Sequence, residues 1–422
     1  MLKFFLSKIL QEKKFFKKVF LFQFTQFLVS VLNFVVIKIL TLKVSSDVVG
    51  KFSWIFSAFG FSAFISLLGL GITLQYYVPR KNEIERRQLI SSSWTLYQIV
   101  FFLFSLILIF LLRLKYKYPF WYIFLLYPVG LSVMLTMTLI ALQEITFLFF
   151  ARVSFFLIWI FFLIFSKNLN LTKIFVGYFI GSVIGLIIGI YKIGFIPFSF
   201  NFGVLKKVWD YWKYALYNSI LSPFFNFYDR LIVGYFAPFN EVAYFSVARN
   251  IENFFRVSLY SLLAVLSPEV SLRDSKNDKN FKRLTLSAFV VNISLVFISF
   301  LIILIFGKFL IKMLATSEYV KGYKYLLILA FALLIAGFYA FETLLWRATG
   351  KIKKFFLSNL VRTIIYVFLT LILGKFWGIY GICFSNLIAN LLTLIYVLRN
   401  QEFYFDILKS IWQREIRAEH LQ

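Results

Sequence analysis

The sequence predicts an all-α integral membrane protein of twelve transmembrane helices, arranged in two six-helix lobes related by a pseudo-two-fold axis along the membrane normal. Three observations predict this fold. Residues of the AVILMFWYC class make up 61% of the 422 residues, many apolar stretches are long enough to cross a bilayer, and a weak internal repeat relates the two halves. The composition excludes a water-soluble globular protein.

A membrane-spanning helix needs about 20 mostly apolar residues to cross roughly 30 Å of hydrocarbon. The stretches that meet this requirement lie near residues 19–41, 52–78, 91–112, 120–142, 145–165, 174–191, 214–236, 242–268, 284–306, 325–348, 355–376 and 379–399. Only Gln143 and Glu144 separate the fourth span from the fifth. All connecting loops are short, so we expect no soluble catalytic domain.

The distribution of basic residues predicts the orientation. Lys and Arg number 26 in the segments on one side of the predicted spans and 12 on the other. The side richer in basic residues is the cytoplasmic one, so we expect a protein of the cell (inner) membrane with both termini in the cytoplasm. The same rule accounts for most of the formal charge of +27, so we expect no nucleic-acid partner. The predicted division is an N-terminal lobe over 1–191, a cytoplasmic connecting segment over 192–213, a C-terminal lobe over 214–399 and a cytoplasmic tail over 400–422.

The connecting segment mixes apolar and basic residues. Its apolar side chains are Phe200, Phe202, Val208, Trp209 and Trp212. This pattern suits a helix lying on anionic lipid, and it suits a plain connector between two halves equally well.

The sequence offers little for enzyme chemistry. Cys383 is the single cysteine and His420 the single histidine, so we expect no multi-cysteine metal site and no cofactor. A membrane-embedded glycosyltransferase or polymerase would need catalytic acids on a substantial outer loop. The outer loops offer Asp47, Glu241 and Glu318, which are far apart in the sequence. We therefore expect a protein that is not an enzyme.

An internal repeat appears when the chain is shifted by 193 residues. Asp47–Ser53 then aligns with Asn240–Ser246, and both segments lead from a short outer loop into an apolar span. The match falls at the first hairpin of each predicted half. An even number of spans per half preserves the orientation, so the two lobes would enclose a site between them.

Ionisable residues within the apolar spans point to a polar path through the membrane. A charge in hydrocarbon is costly unless it faces a partner or a wet cavity. Seven cations and three acids are so placed: Lys38, Arg152, Asp229, Arg230, Arg249, Glu252, Arg256, Glu342, Arg347 and Arg362. The excess of cations favours an anionic cargo.

The eighth span concentrates these charges on one helix face. Arg249, Glu252 and Arg256 are spaced by three and four residues, so Glu252 can bridge both guanidinium groups. Arginine binds phosphate oxygens through a bidentate fork, and a diphosphate head group would fit this stripe. A structural ion ladder that fixes the eighth helix to its neighbours is the alternative.

The other buried charges divide by their position. Arg152 and Arg362 lie a turn or two inside the inner boundary, where they could meet a head group on entry, whereas Lys38, Arg230 and Arg347 could be anchors. Asp229, Glu252 and Glu342 are candidates for ion coupling or charge pairing, with H+ or Na+ as the ion. Asn33, Asn218, Asn226, Asn253, Asn359, Asn386 and Asn390 could bind sugar hydroxyls or neighbouring helices. Pro128 and Pro223 are expected to kink or break their helices.

Several short segments together resemble the polysaccharide flippases of the multidrug/oligosaccharidyl-lipid/polysaccharide (MOP) exporter superfamily, which include the O-antigen (Wzx-type) flippases. The first-half segments are Asp47–Ser53, Leu67–Gly71 and Tyr77–Arg80. The second-half segments are Asp229–Arg230, Glu241–Ala248, Leu266–Pro268, Gly307, Ala348–Gly350 and Trp377–Gly381. The resemblance covers about residues 15 to 400 and depends on the order and spacing of these pieces.

The resemblance implies a flippase that moves a polyprenyl-diphosphate-linked oligosaccharide from the cytoplasmic to the outer leaflet by alternating access, for surface polysaccharide biosynthesis. A multidrug/cation antiporter of the same superfamily is the alternative. Such exporters commonly use an acid on the first helix, whereas the first span here contains Lys38 and no carboxylate. We therefore expect the partners to be a lipid-linked oligosaccharide and membrane lipids.

Overall fold

A computed structural model describes residues 13–116, 122–194, 196, 198–272, 279–348 and 351–401, and the regular elements in these ranges are all helices. The first half contains α1 (Lys13–Lys43), α2 (Ser46–Ser66), α3 (Leu70–Tyr77), α4 (Glu83–Tyr116), α5 (Tyr122–Ala141), α6 (Ile145–Phe165) and α7 (Leu171–Ile193). The second half contains α8 (Phe202–Lys206), α9 (Trp209–Asn226), α10 (Tyr228–Phe236), α11 (Phe239–Leu272), α12 (Lys279–Leu314), α13 (Tyr323–Ala348) and α14 (Ile352–Asn400). Most of the predicted tail, residues 402–422, lies outside the described residues.

All twelve predicted spans fall on these helices, which confirms the predicted fold class. Eight helical segments of the described part are long and apolar enough to cross a membrane. This count is lower than the twelve predicted spans for two reasons. The eleventh and twelfth spans share α14 and are counted once, and the other predicted spans that are not counted are interrupted, short or charged. The chain is a multi-pass membrane protein.

Helix α14 is two antiparallel spans joined by a tight reversal. A straight helix of 49 residues would extend for about 70 Å, yet Lys354 Nζ donates a hydrogen bond of 3.3 Å to the Asn400 carbonyl at its far end. Gly378 interrupts the helix with φ 55° and ψ −132°, a conformation that favours glycine. The eleventh and twelfth spans are therefore separate, as the sequence predicts.

The structure supports the internal repeat. Helix α1 ends at Lys43 and α2 begins at Ser46, while α10 ends at Phe236 and α11 begins at Phe239. Each of the later positions is 193 residues beyond its counterpart. The first hairpin of each half is therefore built at the offset that the sequence match predicts.

The second predicted span is divided into two helices. Leu68 and Gly69 separate α2 from α3, and both have positive φ. A Cβ atom on Gly69 would lie 2.3 Å from the carbonyl carbon of Ala215, so glycine also permits close approach to α9. The indole of Trp212 donates to the Leu68 carbonyl at 2.6 Å. The break fixes the inner ends of the two halves against each other.

The seventh predicted span is also divided, at Phe227 between α9 and α10. Pro223 lies one turn before the break, and the proline ring removes a backbone donor from the helix. The predicted effect of Pro223 is therefore present. Pro128 lies within α5, which continues past it.

Helices α2 and α3 together run along the second half from one side of the membrane to the other. Near the predicted outer side Gly50 packs on the Phe239 carbonyl, and the Trp54 indole donates to the Leu231 carbonyl at 3.0 Å. Near the predicted inner side the Tyr76 ring stacks on Tyr211 at 4.4 Å. This seam holds the two halves together at the level of the ion cluster described below.

The connecting segment divides its apolar residues between protein and surroundings. Leu205, Val208 and Trp212 are buried against the first half, whereas Phe200, Phe202 and Trp209 are exposed. The lipid-facing surface is therefore smaller than the sequence pattern suggests.

Candidate functional site

The centre of the candidate site is a buried ion cluster around Arg249 of α11. Its Nε lies 2.8 Å from Asp229 Oδ2, its Nη1 lies 2.9 Å from Glu252 Oε2, and its Nη2 donates to the Phe225 carbonyl at 2.8 Å. The Arg249 side chain is only 2% exposed. Nη1 and Nη2 thus donate hydrogen bonds to protein oxygens, while Nε is paired with Asp229 by charge at 2.8 Å without forming a hydrogen bond, so the buried charge has two anionic partners.

The break between α9 and α10 creates part of this cluster. In a continuous helix the Phe225 carbonyl would accept the backbone N–H of residue 229. Here Arg249 occupies that carbonyl, while Asp229 Oδ1 accepts the Arg230 backbone N–H at 2.8 Å. The helix break therefore frees a carbonyl in the membrane interior and gives it a cationic partner.

Arg256 lies at the more exposed edge of the cluster. Its Nε is 3.8 Å from Glu252 Oε1, and its side chain is 14% exposed. Its Nη2 donates to Asn253 and, at 3.4 Å, to Asn226 Oδ1. Glu252 thus lies between the two guanidinium groups, with its closer contact to Arg249.

Arg230 is buried beside the cluster and has a neutral partner. Its Nη2 donates to Asn250 Oδ1 at 2.8 Å, and its Nε is buried without a hydrogen-bond acceptor among the described residues. The five charged side chains of this cluster are Asp229, Arg230, Arg249, Glu252 and Arg256, which carry a formal charge of +1.

The two remaining predicted arginines also have neutral neighbours. Arg362 of α14 lies over the Phe225 ring, with its guanidinium carbon 4.1 Å from the ring centroid. Its buried Nε makes no hydrogen bond within the described residues. Arg152 of α6 donates to Gln26 Oε1 of α1 at 3.2 Å. Arg362 therefore borders the cluster through Phe225, whereas Arg152 belongs to the first half.

The other predicted buried charges belong to α1 and α13. Glu342 is completely buried in α13. Lys38 donates to the Ala315 carbonyl near the predicted outer side. The side chain of Arg347 lies outside the residues described. No group of three or more acid, cysteine or histidine residues suited to a metal ion is present in the part of the chain that the structure describes.

Polar amides extend from the cluster along the second half. Asn359 of α14 donates to Asn218 Oδ1 of α9 at 3.0 Å, one to two turns from Arg362 and Asn226. Asn390 instead donates to Asn386 Oδ1 at 2.9 Å and accepts a hydrogen bond from Tyr339 of α13 at 2.6 Å. The first pair joins α9 to α14, the helix that carries Arg362, while Asn390 is engaged between α14 and α13.

Sequence reasoning missed three partners of the charged residues. Asn250 and Gln26 are the acceptors for Arg230 and Arg152, and the Phe225 carbonyl is an acceptor for Arg249. Pro223 was the available signal for the freed carbonyl. The two amides are 20 and 126 residues from their arginines, so only the helix packing shows the pairing.

Comparison with known proteins places this fold. Residues 215–372 match the MatE family model, a range that is less than half of the chain. No curated protein sequence matches the chain. The structure is similar to an inward-facing multidrug resistance MATE family transporter of the MOP superfamily, with a TM-score of 0.68, 13% identity and coverage of 88% of this chain and 94% of that one.

Two further solved structures have the same architecture. The lipid II flippase MurJ in an inward closed conformation gives a TM-score of 0.66 at 16% identity, covering 92% of this chain and 87% of MurJ. A Vibrio cholerae MATE transporter gives 0.61 at 18% identity, covering 94% and 99%. The matches are thus to transport proteins. The chain is a multi-pass membrane protein in which residues 215–372 match the MatE family model, and it has the fold shared by the MATE transporters and MurJ.

Proposed function

We propose that this protein is an alternating-access transporter that moves a polyprenyl-diphosphate-linked oligosaccharide from the cytoplasmic to the outer leaflet of a cell membrane. The fold supports transport, because both MATE transporters and a lipid-linked flippase share it. The charges of the interior support the anionic cargo. Residues 1–191 and 214–399 would be the two moving lobes, with both termini in the cytoplasm.

One observation carries the choice of cargo. Arg152, Arg230 and Arg362 have neutral partners, which are Gln26, Asn250 and the Phe225 ring. Asp229 and Glu252 are two carboxylates shared among Arg230, Arg249 and Arg256, so the arginines of the site exceed its described acids. Uncompensated guanidinium groups within a membrane favour an anionic ligand, and the fork of arginine matches a diphosphate.

The arrangement suggests a division of labour among the arginines. Arg249 is paired with two carboxylates and the Phe225 carbonyl, so its part in the site is to hold Asp229, Glu252 and the broken helix in place. Arg256, with greater exposure, would contact the diphosphate directly. Arg152 and Arg362 would meet the head group from the two halves, and Asn218 and Asn359 would offer hydrogen bonds to the sugars.

The energy source would be a coupling ion or the membrane potential. Glu342 is a completely buried carboxylate of α13, which makes it our first candidate for binding H+ or Na+. Asp229 and Glu252 would act chiefly in charge pairing. The membrane potential would also act on an anionic cargo at about 2.3 kcal/mol per charge per 100 mV.

A multidrug/cation antiporter is the second candidate, because two of the similar structures are MATE transporters. Against it, α1 contains Lys38 and no carboxylate. The two candidates predict different phenotypes for cells that lack the protein. A flippase defect would leave lipid-linked glycan on the cytoplasmic leaflet, where a membrane-impermeant glycosidase or lectin reaches it only in inverted vesicles.

The same comparison can overturn the proposal. Unchanged leaflet distribution of lipid-linked glycan, together with increased sensitivity to cationic drugs, would favour the antiporter. Complementation of these cells with the unaltered chain and with Arg256→Gln tests whether Arg256 is needed for transport of the glycan. We expect only the unaltered chain to restore the glycan to the outer leaflet when both proteins reach the membrane in equal amounts.

A further inference from the structure

We infer that Lys38, Ser46 and Glu318 form a latch that holds the two halves together on the predicted outer side. We call these residues the outer latch. The inference goes beyond the cargo proposal but rests on transport by alternating access, since a latch matters only if the outer side opens. It assigns a function to Lys38, which the sequence identified only as a possible anchor.

The first contact of the latch is made by Lys38 with the end of a helix in the other half. Its Nζ donates to the Ala315 carbonyl and, at 3.4 Å, to the Lys312 carbonyl. Helix α12 ends at Leu314, so these carbonyls belong to the terminal turn that lacks intrahelical donors. A cation also interacts favourably with the negative end of the helix dipole.

The second contact joins the start of α2 to the loop after α12. Ser46 Oγ donates to Glu318 Oε1 at 2.9 Å. Tyr244 of α11 donates to the same carboxylate oxygen and so fixes Glu318 within its own half. Glu318 is thereby positioned to receive a hydrogen bond from across the interface.

These contacts are suited to repeated opening and closing. Both lie near helix ends on the side where α2 packs against Phe239, and both are polar. Water can replace hydrogen-bond partners of this kind, so the net free-energy change on separation is small compared with the loss of an apolar contact of similar area. Opening the outer side requires both contacts to separate.

The same helix supplies a matched control. Lys43 of α1 donates to the Leu163 and Ile164 carbonyls at 2.9 and 2.5 Å, which belong to the last turn of α6. Lys43 thus makes the same kind of contact as Lys38 at the same end of α1. Its partners lie in the first half, so its loss should not release the interface.

The test is a distance measurement between the two halves in purified protein without added cargo. Spin labels are placed at Lys167, which is exposed in the loop after α6, and at Lys375, which is exposed in α14 three residues before the reversal at Gly378. The two positions lie near the predicted outer side in different halves, and the labelled protein has a Cys383→Ala background. Lys38→Met should raise the ratio of the longer-distance population to the shorter one by roughly tenfold, the effect of losing a favourable cation at a partly buried helix end. Glu318→Gln should raise it by a smaller factor.

Lys43→Met should leave the distance distribution as in the unaltered protein. Equal distributions in Lys38→Met and the unaltered protein would overturn the latch, as would an equal shift in Lys43→Met. Thermal unfolding of each variant checks that Lys38→Met is folded, and Lys38→Gln provides a second neutral side chain. Because no cargo is present, a shift would support the latch even if the transported molecule proved not to be a lipid-linked oligosaccharide.

Discussion

The two halves of this molecule share a first hairpin but differ in what that hairpin encloses. At the 193-residue offset, Asp229 and Arg230 correspond to Val36 and Ile37, while Arg249 and Glu252 correspond to Phe56 and Phe59. Val36, Ile37 and Phe59 belong to the apolar core. The same backbone position thus carries an ion cluster in the second half and aromatic or aliphatic packing in the first.

The difference between the halves extends to helix continuity. Helix α1 is unbroken from Lys13 to Lys43, whereas its counterpart is divided at Phe227. Asn33 corresponds to Asn226, but only Asn226 lies next to a break and an arginine. At these positions the duplicated scaffold is retained, while the ion cluster and the break at Phe227 are present in the second half and not at the matching positions of the first. We therefore expect the second half to dominate recognition of the anion.

The largest expected effect is on stability, from loss of Arg249. Arg249→Gln would leave Asp229 and Glu252 as buried carboxylates without their main partner, which costs about 3–5 kcal/mol. The melting temperature of the detergent-solubilised protein should fall markedly. Combining Arg249→Gln with Asp229→Asn and Glu252→Gln should restore most of it. A triple variant no more stable than the single one would show that the cluster is not held by charge pairing.

The next effect is on transport, from loss of Arg256. Arg256→Gln should lower the rate of flipping by about 10- to 100-fold, the range expected for one charge-assisted interaction with phosphate. Its melting temperature should change much less than that of Arg249→Gln. Arg256→Lys keeps the charge but not the fork, so it should be intermediate in rate. A larger loss of stability in Arg256→Gln than in Arg249→Gln would contradict the roles proposed for these two arginines.

Phe59, the first-half counterpart of Glu252, should behave differently from the residues of the ion cluster. Phe59 is 1% exposed in the core, and Phe59→Leu should destabilise the protein by about 1 kcal/mol through imperfect packing. The rate of flipping per folded molecule should be unchanged. A large loss of transport in folded Phe59→Leu protein would mean that the first half also contributes directly to cargo recognition at this level.

Among the arginines, the smallest effect is expected from Arg152, the buried arginine of the first half. Arg152→Gln should reduce the initial rate of flipping only severalfold, because one neutral-partnered cation is lost while the cluster of the second half remains. The Gln26→Ala variant removes its described partner and should have a still smaller effect. Rates measured at limiting cargo concentration would reveal the change. A loss as large as that of Arg256→Gln would remove the proposed asymmetry.

Part of this account could be predicted from the sequence. Apolar length placed all twelve spans, and helical spacing placed Glu252 between Arg249 and Arg256, because both depend on local geometry. Pro223 signalled the break in the seventh span. The division between Ser66 and Leu70 was missed, although Gly69 lies within it.

The remaining features depend on contacts between distant segments. The pairing of Arg230 with Asn250 and of Arg152 with Gln26 requires knowledge of how helices pack, which spacing does not provide. Spacing also does not show that Arg249 is more deeply buried than Arg256, since both are arginines on one helix face. Lys38 was interpreted as an anchor from its position near the end of a span. Its partners are backbone carbonyls at the end of α12, and the sequence contains no signal for them.

The most direct test of the central claim is a transport assay with purified protein in liposomes. The cargo is a fluorescent short-chain polyprenyl-diphosphate oligosaccharide, and a membrane-impermeant quencher reports its leaflet. We predict that the unaltered protein moves the cargo between leaflets, that soluble diphosphate-sugar competes, and that Arg256→Gln is slow. A protein that moves a cationic dye in the same liposomes, leaves the lipid-linked sugar in place and is unaffected by Arg256→Gln would contradict the account.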